Sequence, residues 1–210
     1  MNSSTIPIFP LSLVVFPESK YPLHIFEERY KRMIRRCLSN GEGFGIVAQI
    51  GKTFSKVGSF VRIADVLTEY ENGESDIIVQ ALNRFVLLEY HIHPDGYYEA
   101  LVDNFTDLGD VIVNRDSLEE LKEKFEIIID KVNFKLEDSF WRNYLNSRNK
   151  SFKIAEKSGL SLEQQQNLLS IRDENKRINF LTNHLDNLEK QIEKGMALKD
   201  IILGDGYINN

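Results

Sequence analysis

Residues 6–29 read IPIFPLSLVVFPESKYPLHIFEER, and they place four prolines among aliphatic and aromatic residues. Pro7, Pro10, Pro17 and Pro22 each fix φ and remove a backbone donor, so this stretch is not expected to run as one uninterrupted strand. It predicts short extended pieces joined by a stiff, apolar loop.

A helix is predicted to follow directly, because apolar residues recur there at intervals of four, three and four. These residues are Phe26, Tyr30, Met33 and Cys37. Asn40-Gly41 should end the helix. Cys37 lies on the apolar stripe, which favours an inert core residue over a nucleophile.

The spacing of apolar residues changes near residue 106. Before that point most apolar residues recur at every second position, as in the run 44–50, and this spacing is typical of strands. Asn72-Gly73 predicts a hairpin between the run 59–68 and the run 76–90. Because both faces of these runs carry apolar residues, a small closed barrel is the expected architecture.

After Thr106 the spacing is that of helices. Ser117-Leu-Glu-Glu120 and Ser161-Leu-Glu-Gln164 have capping-box form, and Asp173 can cap a last helix that ends before Gly195. A shorter helix is expected around Trp141. The apolar stripe predicted for the last helix is Ile178, Leu181, Leu185, Leu188 and Ile192.

These patterns predict an α+β protein of two domains. Residues 1–110 are expected to form a β-barrel lobe with one inserted helix, and residues 111–210 an α-helical bundle. A chain of 210 residues with 42% hydrophobic composition is long enough to give both a core.

Charge and composition narrow the function classes. The chain carries 26 basic and 32 acidic residues, for a net charge of −6, which argues against broad binding to nucleic-acid phosphates. No stretch approaches the roughly 18 apolar residues of a membrane span, and the N-terminus lacks signal-peptide character. Together with the lone Cys37, these features predict a cytoplasmic protein with no membrane association.

Catalytic and metal-binding signatures are incomplete. Gly51-Lys-Thr53 resembles the end of a phosphate-binding loop, but that motif requires glycine where this chain has Ile46. His91 and His93 lack an obvious third ligand for zinc, so surface histidines before a turn are the favoured interpretation. We therefore expect no catalytic residue, no metal and no cofactor.

The chain resembles the N-terminal domain of the Lon family of ATP-dependent proteases over residues 6 to about 105 and again from about 152 to 195. The resemblance rests on Pro10-Leu-Ser-Leu-Val-Val-Phe-Pro17, Pro22-Leu-His-Ile25, Glu28-Arg29, Val57-Gly-Ser-Phe-Val-Arg-Ile63, Asn83-Arg84 and the run 158–169. It implies a PUA-like β-barrel followed by helices. In Lon proteases this domain helps to recognise damaged or unfolded polypeptide and precedes ATPase and peptidase modules, neither of which we expect here.

The leading hypothesis is thus a free-standing, non-catalytic module that binds unfolded or damaged polypeptide, with a Lon-type protease as the candidate partner. The expected contact surface is apolar, and the resemblance adds a polar pair beside it. Its residues are Val15, Phe16, Tyr21, Pro22, Leu23 and Phe26, with Glu28 and Arg29 as the pair. The alternative interpretation of Phe16, Leu23 and Phe26 is that they close the end of the barrel.

Three other functions stay open at this level. PUA-like barrels bind RNA in other families, and the basic set to inspect is Lys52, Lys56, Arg62 and Arg84. The chain could also act as an adaptor or regulator of a protease. A small-molecule or hydrolytic site between the lobes is the third, although no convergent set of catalytic groups supports it.

Overall fold

The computed structural model describes residues 3–109 and 112–194. The chain divides between Thr106 and Asp107 into two compact units. The expected helix end at Gly195 and the rest of the predicted bundle to residue 210 lie outside the described residues.

The first unit combines a mostly antiparallel sheet with one helix. Its elements are β1 Ser4–Leu11, β2 Lys20–Ile25, α1 Glu28–Asn40, β3 Phe44–Ile50, β4 Thr53–Phe54, β5 Val57–Glu69, β6 Ser75–Ile92 and β7 Tyr98–Asn104. The predicted hairpin is confirmed, because β5 and β6 pair antiparallel around Gly73, whose φ is 78°.

The sheet order is β1-β7-β6-β5-β3-β4, and β2 pairs with the first part of β6. β1 also pairs with β3 in parallel, so the first strand has a partner on each side. The core that these strands share contains Ile8, Val47, Phe85, Ala100 and Val102.

The predicted short extended pieces joined by a loop are confirmed, because residues 12–19 separate β1 from β2, but Pro7 and Pro10 lie inside β1 and Pro22 lies inside β2. β7 pairs with residues 4–8 of β1, and β3 pairs with residues 8–11. Each proline of β1 thus lies where this strand has a partner on one side only. A missing N–H on the open side costs no ladder hydrogen bond.

Helix α1 confirms most of the predicted stripe, since Tyr30, Met33 and Cys37 are buried. Gly41 ends the helix in the left-handed conformation, with φ 66°. Phe26 is the exception, because it precedes the helix and is exposed. Burial raises the pKa of the Cys37 thiol to about 11, so the thiol stays protonated at neutral pH.

The described part of the second unit is helical. Its helices are α2 Arg115–Lys131, α3 Asp138–Asn146, α4 Lys150–Ala155, α5 Leu162–Leu169 and α6 Glu174–Glu193. α2 packs along α6, and Lys124 and Lys131 of α2 pair with Asp186 and Glu189 of α6. No helix in these described stretches combines the length and apolar character needed to cross a bilayer.

Side-chain capping marks the starts of α2, α5 and α6. Ser161 and Gln164 form the predicted capping box, and the Asp173 side chain accepts from the Lys176 N–H as expected. The capping box predicted at Ser117 is wrong. Asn114 caps α2 instead by accepting from the Ser117 N–H at 3.1 Å, so the helix begins earlier.

His184 connects α6 to the turn before α5 and gives the second unit a predicted pH dependence. Its Nε2 lies 2.8 Å from the Ser158 carbonyl oxygen, and burial lowers the pKa of the imidazole below its ordinary value. The unfolded chain therefore binds more protons than the folded chain just below about pH 6.5.

We expect the unfolding free energy of the second unit to fall as pH drops from about 7.5 to 5.5, and to fall less in His184→Gln. Urea unfolding followed by the fluorescence of Trp141, the sole tryptophan of the chain, measures both. Equal pH slopes in the two proteins would contradict this role of His184.

Candidate functional site

Strand β2 exposes one of its two faces. Leu23 and Ile25 are buried, whereas Pro22 and His24 point outward and Phe26 continues the exposed row just after the strand. Phe26 is 58% exposed, which is high for a phenylalanine. We call Pro22, His24, Phe26 and the neighbouring Tyr70 the β2 face.

Aromatic contacts hold the β2 face together. The His24 ring stacks on Phe26 with centroids 5.9 Å apart, and it meets Tyr70 edge-on at 6.1 Å. Tyr70 lies between β5 and β6, so the hairpin contributes directly to this surface. The cluster presents aromatic rings to solvent.

A carboxylate on β6 fixes two of these rings. Asp76 pairs with His24 across the sheet, and its Oδ1 lies 2.7 Å from His24 Nδ1. The Tyr70 hydroxyl donates to Asp76 Oδ2 at 2.6 Å. Hydrogen bonds from Tyr70, which has the larger effect, and from His24 lower the pKa of Asp76. The carboxylate therefore stays ionised at neutral pH and holds both partners.

The start of α1 anchors the hairpin tip beside the β2 face. Lys31 Nζ donates to Glu28 Oε1 at 2.9 Å and to the Asn72 carbonyl oxygen at 3.0 Å. The hydrogen bond from Lys31 lowers the pKa of Glu28. Arg29 donates to Glu27 Oε2 at 2.9 Å, and its guanidinium lies 4.6 Å from the Tyr30 ring centroid.

The structure separates the predicted contact residues into two groups. Val15, Phe16 and Leu23 are buried in the core of this fold. Tyr21 is half-buried, on the same side of β2 as Leu23.

The other predicted contact residues reach the surface. Those exposed are Pro22, Phe26 and Glu28, and Arg29 is half-buried. All four lie in or just before the first turn of α1 or on the preceding strand β2. His24 and Tyr70 were not in the predicted set. The two-residue alternation through 21–26 signals the position of His24, whereas nothing local to Tyr70 does.

A second exposed aromatic cluster lies near the other end of β6. Phe54 packs against Tyr90 and Tyr98 with centroids 5.0 and 5.1 Å away, and Ile92 is exposed nearby on the same strand as Tyr90. Phe54 and Tyr98 also pack against the core of the first unit. This cluster therefore offers control positions for substitutions in the β2 face.

The structure also shows the environment of residues that the sequence suggested for binding nucleic acid, nucleotide or metal. Arg84 is buried, with its guanidinium 5.0 Å from the Phe105 ring centroid, which removes it from the exposed basic set. Gly51 occupies the β3–β4 turn with φ 62°. His93 stacks on Tyr97, and no group of three potential metal ligands occurs within 3–109 or 112–194.

Comparison with known proteins identifies relatives of this chain. A family model described as the ATP-dependent protease La (LON) substrate-binding domain matches residues 5–187. The fold is similar to the crystal structure of a Lon N-terminal domain protein from Xanthomonas campestris, with a TM-score of 0.67 and 22% identity over 86% of this chain and 98% of that one. It is also similar to the N-terminal domain of a Mycobacterium avium complex Lon protease, with a TM-score of 0.63 and 14% identity over 88% and 99%.

Proposed function

The chain belongs to the family of Lon substrate-binding domains, and on that premise we propose that it is a non-catalytic module that binds unfolded or damaged polypeptide through the β2 face. The proposal includes a PUA-like barrel in the first unit and a helical bundle in the second. The pairing of β1 with both β7 and β3 supports the barrel, and the packing of α2 along α6 supports the bundle.

The exposure of Phe26 in a pre-arranged aromatic cluster carries the proposal. Unfolded chains expose the aliphatic and aromatic side chains that a folded protein buries. When such side chains pack against Phe26 and Tyr70, apolar surface is removed from water, which favours binding. Because Asp76 already orients His24 and Tyr70, the site loses little conformational entropy on binding.

The client is an extended, largely apolar segment, and binding is weak. An unfolded client loses conformational freedom when it binds, and a surface of a few side chains buries little area, so a Kd on the order of 1–100 µM is expected. A module of this affinity samples many clients. We propose that it serves a Lon-type protease in the cytoplasm as a recognition element.

Phe26→Ser tests the function. We expect this change to weaken binding of a fluorescein-labelled, reduced and unfolded model protein by about tenfold or more, because it removes the most exposed ring of the β2 face. Fluorescence anisotropy measures the affinity. Circular dichroism should show an unchanged fold, since Phe26 lies outside the core and outside α1.

Tyr90→Ser is the matched control, because Tyr90 is also an exposed aromatic residue of the first unit but lies in the other cluster. It should leave binding of the unfolded protein within about twofold of wild type. If Tyr90→Ser abolishes binding and Phe26→Ser does not, the client site is the Phe54–Tyr90–Tyr98 cluster. Unchanged affinity in both variants would refute a polypeptide site on either surface.

A further inference from the structure

A groove of about 840 Å³ runs between the start of α5 and the C-terminal half of α6 in the second unit. Its wall residues are Gly159, Leu160, Ser161, Gln164, Phe180, Asn183, His184, Asn187, Leu188, Lys190, Gln191 and Lys194. This groove belongs to a different unit from the β2 face, and the proposed polypeptide site makes no use of it.

The charged side chains that line the groove are all basic, although the chain as a whole is acidic. Lys190 and Lys194 line it, and none of the lining residues is a carboxylate. On α6, the acidic Asp186 and Glu189 pair with lysines of α2 instead. Within the described residues, neither Lys190 nor Lys194 forms an ion pair, so both ammonium groups can bind an incoming anion.

The remaining walls suit a peptide more closely than a simple anion. Leu160 and Leu188 are buried and Phe180 is half-buried, so the groove has an apolar base. Amide side chains such as Asn183 and Asn187 offer both donors and acceptors, which match the N–H and C=O groups of an extended backbone. A site for inorganic phosphate alone requires neither feature.

His184 adds a fixed, neutral wall. Its Nε2 lies 2.8 Å from the Ser158 carbonyl oxygen, which only an N–H at that position can satisfy, and its Nδ1 is 3.4 Å from Gln164 Nε2. The ring is therefore held on both sides. The positive charge of the groove comes from the lysines.

We propose that this groove binds an acidic segment of a partner protein, with carboxylates on Lys190 and Lys194 and one apolar side chain on Leu160, Phe180 and Leu188. Charge complementarity selects this occupant. An unfolded client with few carboxylates satisfies the β2 face but leaves both lysines unpaired. The two surfaces therefore bind polypeptides of different composition.

The test uses a fluorescein-labelled peptide of about twelve residues that contains glutamate and serine with one central leucine, and a matched peptide with glutamine in place of glutamate. Anisotropy titration of the full chain should show binding of the glutamate peptide and at least about fivefold weaker binding of the glutamine peptide. Raising the salt concentration should reduce the difference between them.

Lys190→Gln with Lys194→Gln should weaken the glutamate peptide by about fivefold or more and bring it close to the glutamine peptide. Asn187→Asp should act in the same direction by adding a carboxylate to the groove wall. Lys135→Gln with Lys176→Gln is the matched control, since both lysines are exposed in the second unit but outside the groove.

Equal loss in the control pair, or equal binding of the two peptides, would overturn the proposal. Inorganic phosphate that displaces the glutamate peptide at submillimolar concentration would assign the groove to a small anion instead. A single-stranded oligonucleotide of the same charge that binds more tightly than the peptide would assign it to nucleic acid. Loss of binding in Phe26→Ser affects only the unfolded-protein assay, so the two proposals fail independently.

Discussion

Leu185→Asp is expected to unfold the second unit under conditions where the wild-type chain stays folded. Leu185 is 1% exposed on the face of α6 that forms the core of this unit. Aspartate there either buries a charge without a partner or separates α6 from its neighbours. Both routes cost several kcal/mol of unfolding free energy, on the order of half the stability of a typical domain.

Trp141 makes the measurement specific to this unit. It lies in α3, in contact with Phe125 of α2 and with Phe140, so its fluorescence reports on packing among these helices. Urea unfolding at neutral pH should show a large fall in midpoint for Leu185→Asp. The signal of the first unit, which contains no tryptophan, does not interfere.

Asn187→Asp is the matched stability control, because it makes the same change of charge on an exposed position of the same helix. Its unfolding free energy should stay within about 0.5 kcal/mol of wild type. If Leu185→Asp also unfolds at the wild-type midpoint, the α6 stripe is not packed in solution.

The α6 stripe shows what local sequence can determine. Ile178, Leu181, Leu185 and Leu188 are all buried as predicted, and Ile192 is half-buried at the end of the stripe. Helical periodicity and capping depend on neighbours within a few residues, so the sequence contains the needed information. The same holds for the Gly73 hairpin and for the end of α1 at Gly41.

The exposed residues of the candidate site were harder to predict from local sequence. Phe16 and Phe26 are both phenylalanines in one proline-rich stretch, yet the first is fully buried and the second is exposed. The difference depends on where β2 meets β6 and on which face of β2 turns inward. A partner strand about 50 to 60 residues away sets that register, and periodicity over six residues cannot fix it.

Buried polar groups in the second unit were missed for a related reason. Every residue from 151 to 160 is buried, including Lys153 and Glu156, which form an ion pair at 2.6 Å. A polar residue on a helical stripe normally indicates a solvated face. Only the tertiary partners show that these residues lie inside.

Arg177 is the clearest such case, since its side chain is 0% exposed. Its Nη1 and Nη2 donate to the two carboxylate oxygens of Asp107 at 2.8 and 2.6 Å, and Nη2 donates to Glu174 Oε2 at 2.7 Å. The guanidinium also lies 4.4 Å from the Phe152 ring centroid. Burial lowers the pKa of Arg177, but the two carboxylates outweigh it and keep the group charged.

This network ties the first residue of the second unit to α6, because Asp107 immediately follows the boundary at Thr106. Glu174 extends it to α4 by accepting from the Ser151 N–H at 3.0 Å and from the Ser151 hydroxyl at 2.7 Å. One guanidinium thereby neutralises carboxylates from two separate segments.

Arg177→Met is therefore expected to cost about 3–5 kcal/mol of unfolding free energy, because it leaves the buried Glu174 carboxylate without its cation. Methionine retains much of the apolar volume, so the loss reports charge more than packing. Adding Glu174→Gln should recover part of the stability, since it removes the unpaired charge, whereas Glu174→Gln alone should destabilise. Trp141 fluorescence in urea measures all three variants. Strict additivity of the two single effects would show that Arg177 and Glu174 do not stabilise each other, and their contributions would then come from their other partners.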